Sequence, residues 1–107
     1  MFAEIIIPLA LPKTYTYAIP AEMQPLALPG VRVEVSFGRQ KRYSGIIKSL
    51  SDTGPKGFDP KPIIQVLDPE PVVYDQQLAL WNWMANYYMC SEGEVMSAAL
   101  PTQLKLS

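Results

Sequence analysis

The side chains that do most enzymatic work are scarce in this 107-residue sequence: it has no histidine and a single cysteine, Cys90. Without imidazole there is no His-ligated metal and no triad or dyad with a histidine base. One thiol makes neither an internal disulfide nor a thiolate metal cluster. No GxxxxGK[ST] or GxGxxG phosphate cradle occurs, and no two carboxylates are spaced so that a helix or hairpin must bring them together. Glu92 and Glu94 read as first-turn acids favoured by a helix dipole. An enzyme active site finds no support in these residues.

A binding constellation does. Phe37-Gly38-Arg39-Gln40-Lys41-Arg42 sets three cations beside a glycine between two strand-like segments, with Tyr15 and Tyr17 on another. Rings on a sheet beside loop cations suit single-stranded nucleic acid: bases stack on the rings at about 1–3 kcal/mol each while the cations follow phosphate. The plain alternative is that the tyrosines pack across strands and the basic loop is simply solvated. In a regular strand Thr16 faces opposite to both tyrosines. Lys61, held between Pro60 and Pro62, is either a fixed cation or an ordinary surface lysine; spacing does not choose. Charge favours the first part of the chain for any phosphate contact. Up to Leu67 eight Lys/Arg stand against five Asp/Glu, and from Asp68 onward one stands against five.

The elements that must position these residues fall into two parts. Phe2–Ile7, Thr14–Ile19, Val31–Ser36, Tyr43–Leu50 and Ile63–Leu67 are rich in β-branched and aromatic residues and bounded by proline or glycine. Val31, Val33 and Val35 alternate with polar residues, the period of a half-buried strand. Residues 51–60 (SDTGPKGFDP) read as a mobile loop. Five short strands separated by turns predict a small barrel or strongly curled sheet. After Pro69 and Pro71 the period changes. Asp75 is placed to cap a helix over Gln76–Tyr88. Leu78, Trp81, Ala85 and Tyr88, with Leu80, Met84 and Tyr87, form a broad apolar face. Trp81 and Trp83 lie about 200° apart around that helix, so one is exposed or meets the other part, although most of Trp81, Trp83, Tyr87 and Tyr88 are expected in the core. Ser91-Glu92-Gly93-Glu94 fits a capping box for a second helix through Leu100, which Pro101 stops.

The reading is therefore one domain, residues 1–107, mainly β with C-terminal helices (α+β): a β portion over 1–67 and a helical portion over 72–101. The length suits a single core. Glu4, the only charge before the apolar stretch Ile5–Leu11, is unlike the basic start of a secretory signal. No apolar run approaches the roughly eighteen residues of a membrane span. These features predict a cytoplasmic chain with reduced Cys90 and no membrane partner. The ending after Pro101 reads as a cut in a longer protein.

Taken in order, Pro12-Lys13-Thr14-Tyr15-Thr16-Tyr17-Ala18-Ile19-Pro20, Gly30–Arg39 (GVRVEVSFGR), Gly45-Ile46-Ile47, Val66–Pro71 (VLDPEP), Ala85-Asn86-Tyr87-Tyr88, Gly93-Glu94-Val95 and Ala99-Leu100-Pro101 resemble the N-terminal domain of the bacterial primosomal protein N′ (PriA) family of replication-restart helicases. The resemblance covers almost the whole chain. It implies an OB-like β-barrel followed by two short helices, at the front of an ATP-dependent 3′–5′ DNA helicase. ATP, Mg and Zn belong to the remainder of such a parent, leaving no cofactor for this part. It implies DNA partners with a free 3′ end, at stalled or branched forks, other primosome proteins met through the parent, and association with the nucleoid. The family pocket for the nascent leading-strand 3′ end falls on Tyr15, Thr16, Gly38 and Lys61. Arg39, Lys41 and Arg42, added on charge alone, extend the backbone track.

Two positions depart from the family pattern. Thr16 stands where aspartate is common, which exchanges a carboxylate acceptor for a hydroxyl that also donates. Ser36 replaces a frequent proline before the Phe-Gly pair. A larger side chain at Gly38, such as valine, is expected to block the end while leaving the fold intact. The competing reading is a structural or protein-interaction module, which the same fold permits.

Overall fold

The computed structural model describes residues 1–11, 13–38 and 41–100; Pro101 and its helix-stopping role lie outside the described residues. Strands β1 (Phe2–Ile6), β2 (Tyr15–Ala18), β3 (Arg32–Ser36), β4 (Arg42–Ser51) and β5 (Gln65–Val66) precede helices α1 (Asp75–Tyr87) and α2 (Glu92–Ala99). The strands form one antiparallel sheet in the order β2-β1-β4-β3-β5. Its two edges approach each other without a full ladder. The Ala18 N–H donates to the Lys61 carbonyl at 2.8 Å, and the Ile63 N–H donates to the Ala18 carbonyl at 3.0 Å. The sheet thus curls as an OB-like barrel does, but among the described residues only a single parallel bridge, Ala18 to Pro62, joins the edges.

That bridge explains why the last strand is shorter than its composition predicts. Pro60 and Pro62 have no N–H to offer a ladder, and Ile63 is drawn to β2, so only Gln65 and Val66 pair in regular register with β3. The unbroken isoleucine runs have a different cause. Ile5 and Ile47, register partners, sit in the interior of the curled sheet with Val31, Val33, Val35 and Ile19. Ile6 and Ile46, the next pair, face the other way and pack against Leu78, Trp81, Val95 and Met96 of the helices. A strand covered on both faces has no need of polar alternation.

The second helix begins as its sequence predicts. The Ser91 hydroxyl accepts from the Glu94 N–H at 3.1 Å, and the Glu94 carboxylate accepts from the Ser91 N–H at 3.1 Å. Gly93 is required there, since a Cβ would fall 2.2 Å from the Ile7 carbonyl oxygen and 2.3 Å from that of Leu9. Lys48 of β4 pairs with Glu92 at 2.7 Å, tying sheet to helix. The first helix starts one residue earlier than expected. Tyr74, not Asp75, holds the cap position, and its N–H donates to the Gln77 side chain at 2.8 Å. Asp75 still favours the helix dipole as a first-turn acid.

The apolar face of α1 is narrower than the spacing suggests. Leu78, Trp81 and Ala85 are buried, whereas Leu80, Trp83, Tyr87 and Tyr88 are exposed. Only the row facing Ile6 and Ile46 is covered, so of the four aromatics expected mostly in the core, Trp81 alone is there. Cys90, half-buried and free, packs beside this cluster as a small apolar group. No described helix is long and apolar enough to cross a membrane.

Candidate nucleic-acid interface

Where β2 begins and β3 finishes, an open cleft of about 270 Å³ is lined by Tyr15, Thr16 and Tyr17, by Ser36, Phe37 and Gly38, and by Phe58, Asp59, Pro60 and Lys61. Small-molecule sites run from about 300 Å³ upward, so this space suits one small moiety better than a run of stacked bases. Tyr15, Thr16, Gly38 and Lys61 thus come from three separate segments to one cleft. Lys41 and Arg42 do not line it. The Lys41 carbonyl accepts from the Phe37 N–H at 3.0 Å and closes the β3–β4 turn. Arg42 pairs with the buried Glu34 at 3.3 Å, which offsets part of its charge. Arg39 lies outside the described residues.

Each lining residue has a local reason for its position. Tyr15 is half-buried, with its ring edge-on to Phe37 at a centroid separation of 4.9 Å. The Lys13 ammonium lies 5.7 Å from the Tyr15 ring centroid, so this ring is a packed wall with a cation beside it. Tyr17 is buried and its hydroxyl donates to the Ser36 carbonyl at 2.6 Å, fastening β2 to the end of β3. Burial, and secondarily the neighbouring Tyr15, push the Tyr17 phenol above its ordinary value of 10.0. Folding therefore favours the neutral phenol. The resulting stabilisation is complete below about pH 10 and is lost as pH rises through the higher folded value. Tyr17→Phe should cost about 1 kcal/mol at pH 7, as one lost hydrogen bond does. Urea unfolding at pH 8 and above 10 should show a smaller alkaline loss in the variant than in the wild type.

Thr16 faces away from both tyrosines and lies opposite Glu4 in the β1–β2 register. Its hydroxyl donates to one Glu4 carboxylate oxygen, and the Thr14 hydroxyl donates to the other at 2.8 Å. With its proton committed, the Thr16 oxygen has only acceptor capacity left. The hydroxyl that could donate or accept is held as an acceptor, and the difference from aspartate narrows. Thr16 also borders a second cavity of about 160 Å³ that includes Glu4 and the hydroxyl residues Ser49, Ser51 and Thr53.

Gly38 is exposed at φ +72°, and a Cβ there would meet nothing within 4 Å. The open space agrees with a sterically free rim. The left-handed backbone, however, overturns the expectation that valine leaves the fold untouched, because a β-branched residue is strained at such φ. Lys61 is exposed. Its carbonyl is held by Ala18, and its ammonium has no ion pair among the described residues.

Phe58 and Asp59 were not legible as cleft residues. Phe58 is 59% exposed; the available signal was a lone aromatic in an otherwise polar Gly/Pro loop, next to the Pro-Lys-Pro segment. A second surface lies between the helices, an open groove of about 540 Å³ lined in part by Leu80, Trp81, Met84, Tyr88 and Val95. Nearby, the exposed Trp83 ring stacks on Tyr87 at 5.0 Å and 17°.

The family profile described as the 3′ DNA-binding domain (3′BD) of PriA matches residues 4–101. The chain is 32% identical over 104 residues to the replication restart protein PriA of Treponema pallidum, covering 94% of this chain and 16% of that protein. It is 33% identical over 95 residues to PriA of Haemophilus influenzae, covering 89% and 13%. To PriA of Bacillus subtilis it is 28% identical over 109 residues, covering 97% and 13%. The chain therefore spans less than a fifth of the length of these curated relatives. With the profile running from β1 past the end of α2, the chain belongs to the PriA 3′ DNA-binding domain family, a DNA-binding domain of replication restart proteins.

Proposed function

We propose that this domain binds the free 3′-hydroxyl end of a DNA strand, the nascent leading strand at a stalled fork, and delivers that end to a larger replication-restart helicase. The observation that supports the reading is the convergence of Tyr15, Thr16, Gly38 and Lys61, from three chain segments, on one cleft sized for a single terminal unit. In this reading Tyr15 walls the terminal nucleoside. Every base carries an N–H on its pairing edge, so an acceptor at Thr16 tolerates any terminal base. Gly38 lets the backbone approach the terminal sugar, and Lys61 meets the phosphate before it. Outside the cleft, Lys41 and Arg42 follow the strand, and Arg39 is given the same role on its charge alone. The ATP-driven 3′–5′ unwinding, its Mg and Zn, the primosome partners, and a cytoplasmic, nucleoid-associated setting belong to the parent.

The test is a pair of short oligonucleotides differing only at the 3′ terminus. The hydroxyl-ended strand should bind on the order of tenfold tighter than its 3′-phosphorylated twin, with a shallow salt dependence because few phosphates are neutralised. Equal affinities overturn end recognition while leaving DNA binding in place. A second reading, a protein-docking module, is favoured by the exposed Trp83–Tyr87 stack and the groove between the helices. Quenching of tryptophan emission by a partner protein but not by DNA would select it.

A further inference from the structure

Building on the end-binding reading, we infer that Asp59 is the residue that distinguishes a 3′-hydroxyl from a phosphate in the cleft. Asp59 and Lys61 flank Pro60 and line the same space. The Asp59 side chain is exposed and has no hydrogen bond or ion pair among the described residues; in particular, it is not paired with Lys61. The cleft therefore presents one anion and one cation, each available to a ligand.

A site built only to hold phosphate uses cations and N–H donors. A carboxylate in it weakens phosphate binding through like-charge repulsion. An ionised carboxylate is also an acceptor without a proton of its own. It matches a ligand group that brings one, and the 3′-hydroxyl is the only such group on a terminal deoxyribose. A charge-assisted bond from that hydroxyl to Asp59 rewards the free end. A 3′-phosphate, or the phosphodiester of a continuing strand, meets repulsion at the same point. Selectivity then arises as much from what Asp59 rejects as from what it binds. Lys61, two residues on, takes the phosphate on the 5′ side of the terminal sugar, so the two separate charges fix the strand's direction.

The experiment uses this chain with three fluorescent oligonucleotides identical except at the 3′ terminus: hydroxyl, hydrogen (dideoxy) or phosphate. Wild type should bind them in that order. Asp59→Asn should tighten binding of the phosphate-ended strand on the order of tenfold, so that the hydroxyl-to-phosphate preference collapses. Asp59→Ala should also bind the hydroxyl and dideoxy ends alike. Glu70→Gln, which removes an exposed charge outside the cleft, should keep the wild-type order. If wild type discriminates and Asp59→Asn discriminates equally, or gains equally on all three strands, the role of Asp59 is overturned and end recognition stands. If wild type does not discriminate at all, end recognition itself fails, and the role of Asp59 with it.

Discussion

Trp81→Ala should lower the unfolding free energy by about 3–5 kcal/mol, the range for truncating a buried aromatic. Trp81 is 4% exposed and packs with Ile6, Ile46, Leu78 and Met96, where the outer face of β1 and β4 meets both helices. No other described side chain of that size fills this layer, so alanine leaves a cavity rather than a small gap. Domains of this kind are stable by only about 5–15 kcal/mol in total. Each kcal/mol is worth roughly 4–8 °C at this length, so the thermal midpoint should fall by more than about 12 °C. Circular dichroism during heating and urea unfolding both read the change. Trp83→Ala serves as the contrast, since that ring is 57% exposed and stacks on Tyr87 at the surface. It should cost less than about 1 kcal/mol. Similar losses in the two variants would mean that the helices are not anchored through Trp81.

Lys61→Glu should do the opposite, weakening binding of a 3′-hydroxyl oligonucleotide by tenfold or more, on the order of one charged contact reversed. The fold should stay within about 0.5 kcal/mol of wild type, as surface substitutions do. The separation follows from which atoms do what. The Lys61 carbonyl, not its side chain, bonds to Ala18 and joins the sheet edges, and any residue supplies a carbonyl. The ammonium is exposed and free for a ligand, and glutamate there would place a second carboxylate beside Asp59. Fluorescence anisotropy at two salt concentrations checks the binding and urea unfolding the fold: the variant's log–log slope should be shallower by about 0.7, the share of one phosphate contact on a single strand. Unchanged affinity would show that the cleft's cation is not used.

Much of the architecture was legible because local rules and tertiary needs agreed. The alternation of Val31, Val33 and Val35, the proline boundaries and the Ser91–Glu94 box each specify a local state that packing has no reason to override. The helix face was misjudged because periodicity reports which residues share a side, not how wide the neighbouring surface is. Tyr88 falls near the row of Leu78, Trp81 and Ala85 while Leu80 lies off it, and among the described residues of the sheet Ile6 and Ile46 are the buried ones that meet this row. The β5 boundary was misjudged for a related reason: Ile63 has strand chemistry, yet its hydrogen bond goes to β2.

For the candidate site the division is sharper. Residue types alone excluded imidazole and thiolate-cluster chemistry and placed the basic residues in the first part of the chain. Whether Tyr15, Gly38 and Lys61 meet was beyond local pattern, since they lie on different elements and only the curling of the sheet, drawn together at Ala18 and Lys61, brings them to one cleft. The same curling added Phe58 and Asp59 and left Lys41 and Arg42 outside, while the β1–β2 register set the Thr16 proton on Glu4. Local propensities act over a few residues and can be read from them; a cleft depends on contacts between residues far apart in the chain, and these exist only once the sheet has curled.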